Sequence, residues 1–165
     1  MKFNFQALKA IYLHEMDRFR RTLTQSLLSP VLSTSLYFIV FGSVIGGYVQ
    51  KIDGISYGSY IVPGLLMLTL LTQSISNTSF GIFFPKFNGT IYEILAAPIS
   101  TFEVVLAFVG AGATKTLIVG IMIFITSMFF VDVEVKYPLL MIFLLVLVSF
   151  TFALFGFLIG LMSTN

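Results

Sequence analysis

Long uncharged stretches alternate with short charged ones along this chain. No Asp, Glu, Lys or Arg occurs from Thr22 to Gln50, from Gly54 to Pro85, or from Tyr137 to Asn165. A helix of about 20 apolar residues crosses the hydrocarbon core of a bilayer, so each stretch predicts a membrane span. These spans fall at about 27–48, 60–83 and 138–162. Another, at about 113–131, is less clean, because Lys115 stands at its start. That ammonium is expected to snorkel to the interface, with residues 104–112 as a membrane-edge helix leading in. Pro30 is expected in the first turn of the first span, where a missing N–H costs little. The stretches are continuously apolar and do not alternate with period two, so they do not read as barrel strands.

Ahead of the spans, Phe5, Leu8, Tyr12, Met16, Phe19 and Leu23 recur at spacings of three and four. That spacing makes one apolar helical face. Lys2, Lys9, Glu15, Asp17, Arg18, Arg20 and Arg21 fill much of the rest. Residues 1–24 therefore predict an amphipathic helix lying in the membrane interface. This is not a signal peptide: the polar region is long, contains acids, and no small-residue cleavage site follows the apolar run. The expected fold class is an all-α integral membrane protein, with an N-terminal amphipathic interfacial helix and about four transmembrane helices.

The loop at 84–102 carries the densest local signals. Thr90-x-x-Glu93 has the capping-box pattern, and Asn88-Gly89 before it is turn chemistry. Pro98 stops the short helix that follows, because the residue before proline disfavours the helical region. Ser100-x-x-Glu103 is a second capping box and opens the next helix. A two-turn helix at about 91–97 is predicted, carrying Ile91, Tyr92, Ile94 and Leu95. So short a helix is unstable alone; it packs against headgroups or docks a partner.

Composition sharpens the class. Of 165 residues, 58% are hydrophobic and 10% charged, and the mean hydropathy is +1.02. A soluble domain is about 45–50% apolar and 25% charged, so a soluble enzyme is excluded. The absence of cysteine excludes a disulfide-stapled secreted domain. The net charge of +2 is small, but its placement is informative. Lys2, Lys9, Arg18, Arg20, Arg21, Lys86 and Lys115 fall on one set of flanks, and only Lys51 and Lys136 on the other. The positive-inside rule then predicts a cytoplasmic N-terminus.

Little in the chain could do chemistry. His14 is the sole histidine, so no zinc site is expected; His14 reads as a solvated interfacial residue. Neither a phosphate-binding G-x-x-x-x-G-K-[ST] nor a G-x-S-x-G elbow occurs. No cofactor is expected, and no nucleic acid. The first, second and fourth spans lack the ionisable residues that ion-coupled carriers use. The second span does carry a polar stripe, Thr69, Thr72, Gln73, Ser76 and Asn77, on one helical face. Unpaired amides are costly in lipid, so this stripe either lines a substrate path or hydrogen-bonds a neighbouring helix. Gly42–Gly46 and Gly156–Gly160 are G-x-x-x-G pairs that permit close helix contact.

The order of these features resembles a known family. A basic amphipathic helix and a first span precede Tyr60-Ile61-Val62-Pro63-Gly64-Leu65. The stretch Thr90-Ile91-Tyr92-Glu93-Ile94-Leu95-Ala96-Ala97-Pro98-Ile99-Ser100 follows. This is similar to the membrane subunit of ABC-2 type exporters, the permeases of ATP-binding-cassette transporters. It is closest to the bacterial branch with nodulation-factor and multidrug efflux permeases. The resemblance implies a non-enzymatic permease in the bacterial cytoplasmic membrane, driven by a separate ATPase subunit and paired with a second permease copy, most simply a homodimer. Residues Thr90, Ile91, Tyr92, Glu93, Ile94 and Leu95 would form the ATPase-coupling helix. An amphiphilic cargo, a lipid-linked saccharide or a drug-like compound, suits the uncharged stripe and the abundant aromatics. Family members typically have six spans, so the single permease domain at 1–165 is expected to be truncated at its C-terminus. The competing expectation is a non-transporting membrane scaffold or assembly module.

Overall fold

The computed structural model of the chain describes residues 3–45, 51–52, 54–133 and 135–163. The predicted end of the first span at Tyr48 and Gly46 of the Gly42–Gly46 pair lie outside them. Six α-helices and one hairpin are described. The amphipathic helix α1 spans Phe5–Arg21, capped at its start by the Asn4 side chain, which accepts the Ala7 N–H. Thr22 breaks the helical path, and α2 follows at Leu23–Tyr37. It continues as a π-helical stretch, Phe38–Ile45. Pro30 therefore lies inside α2 rather than in its first turn. Interior proline is tolerated in membrane helices, where neighbouring groups satisfy the freed carbonyl.

A two-stranded antiparallel hairpin, β1 (Lys51–Ile52) and β2 (Ile55–Ser56), lies between the first two spans. Its signal was the Asp-Gly dipeptide, the favoured hairpin turn; Gly54 takes the required positive φ of 84°. Helices α3 (Tyr57–Phe87), α4 (Ile91–Ala96), α5 (Thr101–Phe130) and α6 (Pro138–Met162) complete the chain. The stretches Leu23–Phe41, Tyr57–Phe87, Thr101–Phe130 and Pro138–Met162 are each long and apolar enough to cross a membrane. Residues 104–112 are not a separate edge helix: α5 runs unbroken from Thr101.

The core is a three-helix bundle of α3, α5 and α6, with α1 and α2 laid against α5. On α3 the buried residues Val62, Leu66, Leu70, Ser74, Thr78 and Ile82 recur every four positions, one stripe facing the bundle. Two apolar clusters fill the interior. One joins Ile82, Val104, Phe108 and Phe157, with Ile91 and Ile94 of α4 packed on it. The other joins Leu66, Leu70, Val119, Ile123 and Leu145. Between lipid-embedded helices there is no hydrophobic drive, so close packing of small residues holds them. Gly156 and Gly160 do this for α6. A Cβ on Gly156 would stand 2.5 Å from the Ile75 carbonyl oxygen and 2.8 Å from its Cα. One on Gly160 would stand 2.7 Å from the Ser79 carbonyl oxygen. The α6 backbone thus touches the α3 backbone, and the second predicted glycine pair is a true contact face.

Candidate functional site

The end of the bundle that carries α4 also carries Lys86, Glu93 and the Ser100–Glu103 cap. Gly89, at φ 77°, turns the chain out of α3 after Phe87 and into α4. The predicted capping box at Thr90 does not form. Thr90 already has helical dihedrals and makes no side-chain cap bond, whereas a cap needs extended backbone. Its carbonyl instead accepts the Glu93 and Ile94 N–H groups. The helix ends at Ala96, one residue before the predicted limit. Ile91 and Ile94 seat on the core. Tyr92 and Leu95 face outward, 73% and 67% exposed, with Glu93 and Thr90 also exposed. The six predicted docking residues therefore divide into two that hold α4 down and four that it presents.

Beneath α4 lies a cavity of about 620 Å³, walled by Ile82, Val104, Val105 and Phe157 and bounded by Tyr92 and Leu95. Lys86 stands at its edge. Its Nζ donates to the Leu161 carbonyl at 2.8 Å and the Ser163 carbonyl at 2.7 Å, capping α6 where a cation suits the helix dipole.

The second capping box forms in full. Ser100 Oγ accepts the Glu103 N–H at 3.4 Å, and Glu103 Oε2 accepts the Ser100 N–H at 2.7 Å. The other carboxylate oxygen accepts the N–H of Asn4, the cap of α1. Asn4 Nδ2 also donates to the Pro98 carbonyl at 3.5 Å. One carboxylate thus serves the N-termini of two helices, both of which favour negative charge.

Further along the same seam, Tyr12 Oη donates to Thr114 Oγ1 at 3.0 Å. Lys115 Nζ then meets Glu15 Oε2 at 2.7 Å, with the two side chains only 4% and 3% exposed. Arg18 joins the same oxygen at 3.0 Å and is 37% exposed. Lys115 is therefore not a snorkelling anchor. It is buried because α1 runs beside α5 and supplies the counter-charge. Glu15, read from sequence as part of a polar face, turns inward together with Phe19. This pair is what the sequence reading missed. Its signal was faint: one acid on an amphipathic helix and one cation in an apolar stretch, 100 residues apart.

The polar stripe on α3 flanks the bundle-facing row rather than forming it, with Thr69, Gln73 and Asn77 half-buried. The bundle-facing hydroxyls are Ser74 and Thr78, and Ser74 Oγ donates to the Ser149 carbonyl of α6 at 2.6 Å. Within the stripe, the Thr69 and Thr72 hydroxyls bond their own helix, to the Leu65 carbonyl at 2.8 Å and the Leu68 carbonyl at 2.9 Å. Gln73, Ser76 and Asn77 make no side-chain hydrogen bond among the described residues, and Asn77 Nδ2 is buried without a partner. Thr72 and Ser76 are exposed. Among the described residues no group of acids, histidines or cysteines is placed to hold a metal ion.

Four apolar helices with interhelical contacts of small residues, and an amphipathic helix at one end, define a multi-pass all-α integral membrane protein. A family model for the ABC-2 type transporter matches residues 6–165, and the chain belongs to that family. It is similar to the inner membrane transport permease YadH of Escherichia coli (strain K12), with 38% identity over 157 residues, 95% of this chain and 61% of the relative. Proteins of that name from Escherichia coli O157:H7 and Shigella flexneri match to the same extent. The chain thus spans 61% of the length of the curated relatives it matches. No solved structure matches it.

Proposed function

We propose that the chain is a permease subunit of an ABC exporter in the bacterial inner membrane, with its N-terminus in the cytoplasm. It moves an amphiphilic substrate, a lipid-linked saccharide or drug-like compound, using a separate ATP-binding-cassette ATPase. The observation that carries this reading is the two-sided build of α4. Ile91 and Ile94 anchor it to the core, while Tyr92, Glu93 and Leu95 project outward with Thr90. Exposed large apolar residues beside a single acid, on an element braced from behind, suit a docking surface for a protein.

The α3 stripe supports a partner in the membrane. Gln73 is half-buried and Thr72 and Ser76 are exposed on that stripe, and polar side chains turned toward lipid without a partner are costly. A second permease copy, or a substrate path between two copies, covers that face in this reading. The chain has no cysteine, so a single Ser76→Cys variant reports directly. Disulfide-linked dimers in membranes support the homodimer, and purely monomeric chains count against it.

The docking reading is tested with Glu93→Arg and Leu95→Asp. Both are expected to abolish co-purification of the ATPase subunit while membrane insertion stays intact. Normal ATPase binding by both variants overturns the docking role of α4, and an unaltered chain that retains no ATPase at all leaves the scaffold reading in its place.

A further inference from the structure

Three ties join α1 to α5, and they share one register. Asn4 pairs with Glu103, Tyr12 with Thr114, and Glu15 with Lys115. The sequence separations are 99, 102 and 100 residues. Two helices whose contacts advance together at a near-constant offset run side by side and in the same direction, because both rise about 1.5 Å per residue. The seam has a carboxylate at each end. Glu103 links both helix caps at one end, and buried Glu15 takes Lys115 at the other. Asn4 also reaches the Pro98 carbonyl, in the short connection between α4 and α5.

A buried ion pair is weak support for stability as such, because desolvating two charges offsets their attraction. What it supplies is selection of one arrangement, since any slip of α1 by a turn strands both charges. We infer that Glu15 and Glu103 are positioning residues that fasten α1 to the first half of α5 as one rigid lever. A displacement of α4 then carries α1 with it rather than sliding past it. This rests on the coupling role proposed for α4, and it adds which part of the permease moves as a unit with that helix.

The test uses the absence of native cysteine. Lys9→Cys on α1 and Leu106→Cys on α5 are exposed positions for nitroxide labels. Distances are measured by pulsed electron resonance on the full chain in lipid nanodiscs, alone and with the ATPase subunit trapped by ATP and vanadate. A narrow distribution that shifts by less than about 2 Å on trapping is expected, well below the one-turn step of about 5 Å that a ratcheting helix makes. In the background of Glu103→Gln or Glu15→Lys the distribution is expected to broaden. Glu15→Lys combined with Lys115→Glu is expected to narrow it again, a rescue that mere loss of packing would not give. A shift of a turn on trapping, or a distribution indifferent to both carboxylates, overturns the lever. Failure of the ATPase to bind at all overturns the coupling role instead, and the comparison of variants without nucleotide still decides the clamp.

Discussion

Helix α5 is held on two sides by opposite means. Toward α3 the contact is steric and nearly free of charge. Gly112 abuts Thr78, Gly120 abuts Leu70, and the Leu66–Val119–Ile123 cluster fills the space between; α6 closes on α3 through Gly156 and Gly160. Toward α1 the contact is polar, set by Glu103, Tyr12 and the buried Glu15–Lys115 pair. The difference follows from the solvent. Between helices surrounded by lipid, association comes from close van der Waals approach and a few interhelical hydrogen bonds. At the end that bears the basic helix, charged groups have water or headgroups as an alternative, so a paired charge selects a register. The steric face fixes distance, and the polar face fixes which residue stands opposite which.

The sharpest way to break this contrast is to remove one charge of the pair. Glu15→Leu leaves Lys115 buried without its counter-charge and is expected to cost about 3–5 kcal/mol, read as a loss of folded protein on thermal unfolding in detergent. Replacing both, as Glu15→Leu with Lys115→Met, is expected to recover most of that loss, because two apolar side chains can fill a buried pair's site without stranding a charge. If the double variant is as unstable as the single one, the pair contributes packing rather than charge. Next in size, Gly156→Ala is expected to cost about 1–3 kcal/mol by overpacking. Its methyl would meet backbone at Ile75, which cannot move aside like a flexible side chain. An unchanged unfolding temperature would mean that close backbone approach at Gly156 is not what holds α6 to α3.

What could be read from the sequence divides along the same line. Three of the four membrane helices are legible because charges are missing from long stretches, and the other from the apolar run after Lys115; both are properties of the chain alone. The Ser100–Glu103 cap and the stop at Pro98 are equally local, and the structure has both features. Thr90 has the same cap pattern and fails, because the turn at Gly89 delivers it already helical; a pattern of four residues does not encode the dihedral before it. Lys115 was illegible for a different reason. An isolated cation at the edge of a span is cheaply explained as an anchor, and only the return of α1 along α5 reveals its partner. The stripe on α3 was partly legible: its polarity is plain, but which hydroxyls close on their own backbone and which cross to a neighbour depends on helix rotation.

That last distinction gives the smallest and most discriminating pair of substitutions. Ser74 and Thr72 are both α3 hydroxyls with short bonds to a carbonyl, at 2.6 Å and 2.9 Å. Ser74 reaches across to Ser149 of α6 and is buried; Thr72 bonds Leu68 in its own helix and is exposed. Ser74→Ala removes the donor to a carbonyl on another helix and is expected to cost about 1 kcal/mol. Thr72→Val keeps the shape, and the Leu68 carbonyl retains its ordinary intrahelical partner, so the change in unfolding is expected to stay within about 0.5 kcal/mol. Measured in detergent on the chain alone, these values rank α3's inward face above its stripe. Should Thr72→Val instead destabilise a cross-linked dimer while leaving the monomer untouched, the stripe is a surface between two copies, and its threonines gain their worth only when that surface is closed.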